Sequence, residues 1–169
     1  MRSRGGEVWA MSRHWSALLE TLGACDEAVR WAATQPSHNR AWETCERGDW
    51  MLWIAGRLVS NETERKAVVM AACACARLSL KHVPSGEDRP RIAIETAESW
   101  CRGEATIDQV RKARDAAYAY ATAAAAAYAA AYAADAAARS ATLHECADIV
   151  RRMLPMPELP RIKRAKRAA

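Results

Sequence analysis

Apolar residues recur at helical spacing along most of the chain, and no stretch alternates between apolar and polar residues for long. The first such segment places Trp9, Trp15, Leu18, Leu19 and Leu22 at mixed helical spacing. Spacing of this kind predicts amphipathic helices, whereas a period of two would predict strands. The pattern predicts eight helices, over residues 7–22, 25–34, 38–47, 49–60, 62–81, 89–102, 107–138, and from Thr142 to about 154.

Helix ends are predicted from capping residues and glycines. Gly23 and Gly103 follow apolar helical runs and are expected to end them. Three pairs match the capping-box pattern, in which a short polar residue precedes Glu or Gln by three positions. These pairs are Asn61 with Glu64, Thr106 with Gln109, and Thr142 with Glu145.

The segment 107–138 is unusually rich in alanine. Between Asp115 and Ala141, 18 of 27 residues are alanine. Alanine has the highest helix propensity, so a long central helix is expected there, against which other helices pack. The fold class predicted for the chain is therefore all-α: a single-domain bundle of about seven to eight helices with a long alanine-rich central helix. We expect the domain to span 1–157 and a basic, disordered tail to span 158–169.

Positive charge is concentrated at the end of the chain. The net charge is +5, and five basic residues lie in the last nine positions. They are Arg161, Lys163, Arg164, Lys166 and Arg167. The rest of the chain is neutral, which argues against a domain-wide basic face for nucleic acid. The tail itself could bind nucleic acid through phosphates, or it could serve as a solubilising end.

Cysteine usage and hydropathy predict a cytoplasmic protein. The six cysteines include no Cys-x-x-Cys motif, and most lie in apolar helical patterns, as small buried thiols do. No secretory signal is recognisable, and no run of about 18 apolar residues is suited to a membrane. Cys73 and Cys75 are two residues apart on a predicted helix, so they face different sides, and no metal site is expected.

The sequence contains no recognisable catalytic motif. A nucleophile elbow, a phosphate-binding glycine loop and a His-Glu-x-x-His zinc motif are all missing from it. His144, Glu145 and Cys146 are adjacent on a predicted helix and therefore cannot converge by themselves. We predict a protein that is not an enzyme and uses no cofactor.

Two helical patterns meet at Gly48 and Asp49, and we call the run 45–50 around this point the corner. Gly48 is expected to take the left-handed conformation that ends one helix, and Asp49 to cap the next with its carboxylate. Trp50 and Trp53 share one helical face, which predicts either a core position or an anchor for a partner. Arg47 next to them adds an exposed charge.

The second candidate region is the segment 87–91, which we call the loop. It contains Glu87, Asp88, Arg89 and Arg91 around Pro90. Asp88 is a good N-cap, and proline is tolerated in a first helical turn. Its charges could form internal ion pairs, or the loop could bind a partner, since binding residues concentrate on loops.

Four stretches of the chain resemble a known family. They are Ala-Trp-Glu-Thr-Cys-Glu-Arg-Gly-Asp-Trp-Met-Leu-Trp at 41–53, Glu-Asp-Arg-Pro-Arg-Ile-Ala-Ile-Glu-Thr-Ala-Glu-Ser-Trp at 87–100, the alanine-rich helix, and the closing run at 146–155. In order and spacing, from about 24 to 157, the chain resembles the all-helical immunity proteins of bacterial polymorphic toxin systems. The Arg-Gly-Asp-Trp corner and the Gly-Glu-Asp-Arg-Pro loop are the specific parts of this resemblance.

The resemblance implies a small cytoplasmic protein that binds a cognate toxin or other effector and blocks it by steric occlusion. Together with the pattern of charges and tryptophans, the resemblance predicts a set of partner-binding residues. These are Arg47, Asp49, Trp50, Glu87, Asp88, Arg89 and Arg91. The alternative is a phage or mobile-element accessory protein that contacts nucleic acid or a nucleoprotein through the basic tail. An exposed aromatic or alanine-rich face could also support a homodimer.

Overall fold

The structure is a computed structural model that describes the backbone of residues 14–132 and 136–160 and the side chains of 14–121 and 139–160. Residues 1–13 and 161–169 lie outside it, so the first half of the first predicted helix and the five basic residues of the tail are not described. Within the described residues the secondary structure is entirely helical, which confirms the all-α prediction.

Eight α-helices and one short 3₁₀ turn follow one another along the described residues. The helices are α1 Ala17–Leu22, α2 Asp26–Ala33, α3 His38–Thr44, α4 Gly48–Leu58, α5 Glu62–Arg77, α6 Arg89–Arg102, α7 Ile107–Tyr132 and α8 Ala136–Met153, and the 3₁₀ turn Leu80–His82 follows α5. The fifth helix thus ends four residues before its predicted end, and the alanine-rich segment is divided between α7 and α8.

The described residues form two compact units. Of the described residues, the first unit contains 14–41 and the second contains 42–132 and 136–160. In the first unit the carbonyl oxygen of Gln35 lies 3.1 Å from Nε2 of His14 and accepts a hydrogen bond from Nε1 of Trp15 at 3.4 Å. The Trp15 ring lies 5.6 Å from that of His38, whose pKa is lowered by burial.

In the second unit α5 packs against α4, α6 and α8, and α7 packs along α6. The thiol of Cys73 in α5 lies 3.8 Å from the carbonyl of Ile94, and the thiol of Cys101 in α6 lies 3.5 Å from the carbonyl of Lys66. The earlier residue of α5 thus contacts the later residue of α6, and the later residue of α5 contacts the earlier residue of α6. The two helices are therefore antiparallel. Helices α4 and α5 are joined by three residues, which makes them antiparallel neighbours as well.

Because α4 and α6 both run antiparallel to α5, both begin at the same end of the second unit. We call this the corner end. The middle of α8 lies there too, since the thiol of Cys75 near the end of α5 is 3.7 Å from the carbonyl of Cys146. The corner before α4 and the loop before α6 therefore share one end of the bundle.

The core consists of apolar side chains that the helical spacing places on inward faces. Val150 is fully buried, and Met51, Ile54, Ala71 and Ile94 are also buried. Four of the six cysteines are buried, as expected of structural thiols. Burial is the main reason why the pKa of Cys73 is raised to about 11 and that of Cys75 to about 12, so both stay protonated and serve packing.

Most of the predicted helix ends are confirmed. The side chain of Asn61 accepts a hydrogen bond from the backbone N–H of Glu64 at 2.9 Å. Thr106 and Gln109 cap each other reciprocally, at 2.7 and 3.2 Å. Gly23 and Gly103 end their helices with φ of 84° and 82°. The predicted start at Thr142 is wrong, because α8 already begins at Ala136 and Thr142 lies inside it.

Candidate partner-binding surface

Gly48 is the first residue of α4, and α8 crosses it at very short range. A Cβ atom added to Gly48 would lie 2.6 Å from the backbone nitrogen of Ala147 and would overlap the Cβ of Cys146. Real Cβ atoms do not approach backbone atoms this closely, so glycine is required here by contact between two helices. The residue therefore serves tertiary packing at the base of the corner.

This finding corrects the prediction that Gly48 ends a helix in the left-handed conformation. Among the described glycines, positive φ occurs at Gly23, Gly86 and Gly103, and Gly48 is helical. The preceding helix α3 ends earlier than predicted, at Thr44. The local sequence rule identified a helix boundary at the right place but gave the glycine the wrong role.

The end of α3 is held by an arginine more than a hundred residues away in the chain. Nη1 of Arg151 in α8 donates to the carbonyl oxygens of Cys45 at 2.7 Å and Trp42 at 3.3 Å. Nη2 of Arg151 donates to Asp148 at 2.7 Å, which orients the guanidinium. The last carbonyls of a helix lack partners within the helix, and a cation there also complements the helix dipole.

Arg47 and Trp50 form the outward-facing part of the corner. The guanidinium of Arg47 lies 4.2 Å from the centre of the Trp50 ring, within the range of a cation–π contact. It also donates to both carboxylate oxygens of Asp49, at 2.9 and 2.7 Å. Trp50 is half-buried, and the same holds for Trp53, which lies beneath Arg57. The two tryptophans thus combine packing with partial exposure.

Asp49 does not take the capping position predicted for it. Arg47 occupies that position without a side-chain cap, and Asp49 is the second residue inside α4. Partial burial raises the pKa of Asp49, but the hydrogen bond and charge of Arg47, with nearby backbone N–H groups, outweigh it and lower the pKa. Asp49 therefore stays ionised and fixes the Arg47 guanidinium in place.

A second ion pair joins the corner to α8. Nε2 of His144 lies 2.9 Å from Glu46, and Nδ1 lies 3.1 Å from the carbonyl of Ser140. The hydrogen bond to Glu46 is the main reason why the pKa of His144 is raised. A titratable side chain of α8 therefore pairs with the corner, and its pKa is raised by that contact.

The loop is held by ion pairs between residues close in sequence. The carboxylate of Glu87 accepts from the backbone N–H of Arg89 at 3.0 Å and from its guanidinium through Nε at 2.7 Å and through Nη2. The hydrogen bond from the Arg89 side chain is the main reason why the pKa of Glu87 is lowered to about 2. The Arg89 guanidinium also lies 5.2 Å from the ring of Tyr120 in α7.

Asp88 occupies the N-cap position of α6, and Pro90 lies in the first turn, as predicted. The side chain of Asp88, however, caps no backbone N–H group, so that part of the prediction is wrong. Its carboxylate accepts instead from Arg91, at 2.9 and 3.2 Å, and Arg91 also pairs with Glu95 at 2.8 Å. Glu87 provides the backbone contact that was expected of Asp88.

The two predicted regions share the corner end of the second unit but form separate clusters. The hydrogen bonds, ion pairs and ring contacts of the loop side chains end within 87–95 or on Tyr120. Helix α5 lies between the helices that begin at the two regions. The set predicted from sequence is thus assembled as two neighbouring patches.

Three features of the corner could not be found from the sequence alone. These are the carbonyl contacts of Arg151, the pairing of His144 with Glu46, and the packing role of Gly48. Each joins residues about a hundred positions apart, so no local motif marks them. The sequence contains the adjacent arginines Arg151 and Arg152 near the end of α8, but it does not indicate which groups they bind.

The family comparison matches residues 58–150, from the end of α4 into α8. The matching model describes an Imm-5 like putative immunity protein, and the match covers more than half of the chain. The chain belongs to this family. For this family member the loop lies inside the matched region, whereas the corner lies before it. No curated protein and no solved structure matches the chain.

Two further findings concern the described residues only. None of the helices there is long and apolar enough to cross a membrane. No group of three or more His, Cys, Asp or Glu side chains in the described part is arranged to hold a metal ion. The prediction for nucleic acid rests on Arg161 and the four basic residues after it, which lie outside the described part of the chain.

Proposed function

We propose that the chain is a non-enzymatic protein that binds a cognate toxin and neutralises it by steric occlusion. Membership of an immunity-protein family is the observation that supports this most directly. A bacterial polymorphic toxin system, with the immunity protein acting in the cytoplasm, is the setting that we propose for it. The protein partner would be recognised at the corner end.

The chemistry of the corner supports a protein contact. Arg47 retains about a third of its side-chain exposure while stacked on Trp50. Arginine and tryptophan are the residue types most enriched among the few side chains that dominate binding energy. Because Asp49 and the ring already restrain the guanidinium, little side-chain entropy is lost when a partner docks. Arg47 and Trp50 are therefore the anchors that we propose.

The loop would contribute the polar rim of the same surface. Its arginines Arg89 and Arg91 are about half exposed and paired with carboxylates of the loop and of Glu95. Exposed pairs contribute little to stability, but they can exchange partners at an interface and favour one orientation of the docked protein. We therefore propose a larger role in binding for the corner and a smaller one for the loop.

The test begins with capture of the partner by the tagged full-length chain from lysate of its native source, with and without nuclease. The captured protein is then expressed alone in a test bacterium, where a toxin would stop growth. Co-expression of the wild-type chain should restore growth. A captured protein that is harmless when expressed alone would contradict the proposal.

Variants then locate the contact surface. Arg47→Ala and Trp50→Ala should each weaken binding about tenfold or more, the loss expected for anchor residues. The matched control is Arg111→Ala, which breaks an equally local ion pair with Asp108 at the start of α7. Melting temperatures of all variants are measured, so that a loss of binding through unfolding is recognised. Equal binding by all three variants would exclude the corner as the contact surface.

Nuclease treatment and deletion of 161–169 distinguish toxin binding from the alternative, which is contact with nucleic acid through the basic tail. Contact with nucleic acid through the tail predicts capture that nuclease abolishes and that weakens steeply with salt. Toxin binding at the corner predicts capture that survives both nuclease treatment and deletion of 161–169.

A further inference from the structure

Three contacts from α8 hold the corner on both sides of Arg47. Arg151 binds the carbonyl of Cys45, and His144 pairs with Glu46. The backbone at Cys146 and Ala147 packs on Gly48. Residues 45, 46 and 48 are thus each anchored to one helix, and Arg47 is the residue between them.

Arg151 makes the most directional of these contacts. One guanidinium nitrogen reaches two carbonyl oxygens at the end of α3, and the other is fixed by Asp148. The side chain of Arg151 is 26% exposed, so the contacts lie partly out of solvent. An arginine fork can hold two groups in fixed directions, which a single ammonium group does less well.

The contact of Arg151 with the carbonyl of Cys45 fixes the backbone two residues before Arg47, whose guanidinium stacks on Trp50. The thiol of Cys45 in turn lies 3.6 Å from the carbonyl of Arg47, so the segment is also tied internally. If the Cys45 carbonyl were released, the direction of the chain at Arg47 would be less restricted. The 4.2 Å approach of its guanidinium to Trp50 would then be populated less often.

We propose that Arg151 is a positioning residue, which presets Arg47 on Trp50 for recognition of the partner. The recognition part of this inference rests on the function proposed above, whereas the presetting is a property of the free protein. Arg151 would act through the backbone at Cys45 without contacting the partner itself.

The presetting is tested by NMR of the free full-length chain. An aromatic ring shields protons above its face, so the Cδ–H protons of stacked Arg47, which form no hydrogen bond, should resonate upfield in the wild type. In Arg151→Met this upfield shift should be largely lost, and in Arg151→Lys partly retained, because the ammonium group can still donate to one carbonyl. The matched control is Arg102→Met, which removes an arginine paired with Glu104 at the far end of α6. The control should leave the Arg47 signal unchanged.

An unchanged Arg47 signal in a folded Arg151→Met variant would overturn the presetting, even if the melting temperature falls. If Arg151→Met does not fold, Asp148→Asn is used, because it weakens the bond that orients the guanidinium. A smaller loss of the same upfield shift is then expected, and no loss would count against the proposal.

Binding of the captured partner separates this inference from the proposed function. A fall in affinity of about fivefold or more in Arg151→Met, together with the lost shift, supports both parts. A lost shift with unchanged affinity would overturn the role of Arg151 in recognition, and Arg47→Ala would then decide whether the partner binds at the corner at all. Retained affinity and a retained shift would reject Arg151 as a positioning residue.

Discussion

The corner and the loop carry similar chemistry but are held in different ways. In each, an arginine lies over an aromatic ring and pairs with a carboxylate two residues away. The loop side chains bind mainly to neighbours within a few residues, as Glu87 does to Arg89. The corner depends on Arg151, His144 and the backbone of α8. Similar surface groups are thus held by neighbours in the sequence at the loop and by the distant helix α8 at the corner.

This difference has a physical consequence for stability. A locally held group forms its contacts whenever its own helix forms, and exposed ion pairs add little to the free energy of unfolding. A group held by a distant helix forms its contacts only when the two helices are docked, so these contacts are coupled to the close packing between the helices. Changes at the corner should therefore affect the whole second unit, whereas changes at the loop should remain local.

The largest expected effect is at Gly48. Gly48→Ala places a methyl group against the backbone of α8, and overpacking of this kind should lower the free energy of unfolding by about 3 kcal/mol. The control in the same helix is Gly56→Ala, whose Cβ would approach only Val68, at 4.0 Å. That change should stabilise the protein by about 0.5–1 kcal/mol, because alanine favours a helix interior. Denaturant unfolding of both variants measures the difference, and effects of the same sign would contradict the close approach.

A smaller effect is expected at the loop. Asp88→Ala should change the free energy of unfolding by less than about 0.5 kcal/mol, since its side chain caps no backbone group and Arg91 keeps Glu95. Glu87→Ala should lower the melting temperature more than Asp88→Ala, because Glu87 also accepts from the backbone of Arg89.

Asn61→Ala serves as the reference for a true cap in these thermal unfolding measurements, with an expected cost of about 1 kcal/mol. A comparable loss in Asp88→Ala would show that its carboxylate caps α6 after all.

The smallest expected effect is a dependence on pH that differs between the two regions. The pKa of His144 is raised above its ordinary 6.5, so its pair with Glu46 contributes fully below that value. The contribution is lost as pH rises through the raised pKa. The pKa of Glu87 is lowered from 4.5 to about 2, so its contribution is present above 4.5 and is lost as pH falls towards 2.

An NMR titration of His144 in the wild type and in Glu46→Gln tests this difference. The substitution should move the pKa of His144 back towards 6.5, because the hydrogen bond to Glu46 is the main cause of the shift. Identical titration curves would mean that the two side chains do not interact in solution. Glu87 should stay charged between pH 6 and 8, because its pKa is lowered to about 2.

Prediction from the sequence succeeded where the deciding interactions were short in range. The caps at Asn61 and Thr106 join residues three positions apart, and the structure contains both. The internal ion pairs of the loop follow from the same proximity. The predicted start at Thr142 failed because the alanines before it extend the helix, so that a good capping pair lies inside α8.

The amino-acid sequence by itself determined the helical character of the chain, most of its helix boundaries and the ion pairs of the loop, because propensity, caps and neighbouring charges act within about one turn. Membership of an immunity-protein family also follows from the sequence, through the match over 58–150. Only the tertiary structure decided why residue 48 is glycine and what ends α3. The atoms concerned, on Gly48 and Cys45 at one side and on α8 at the other, meet only when the helices pack.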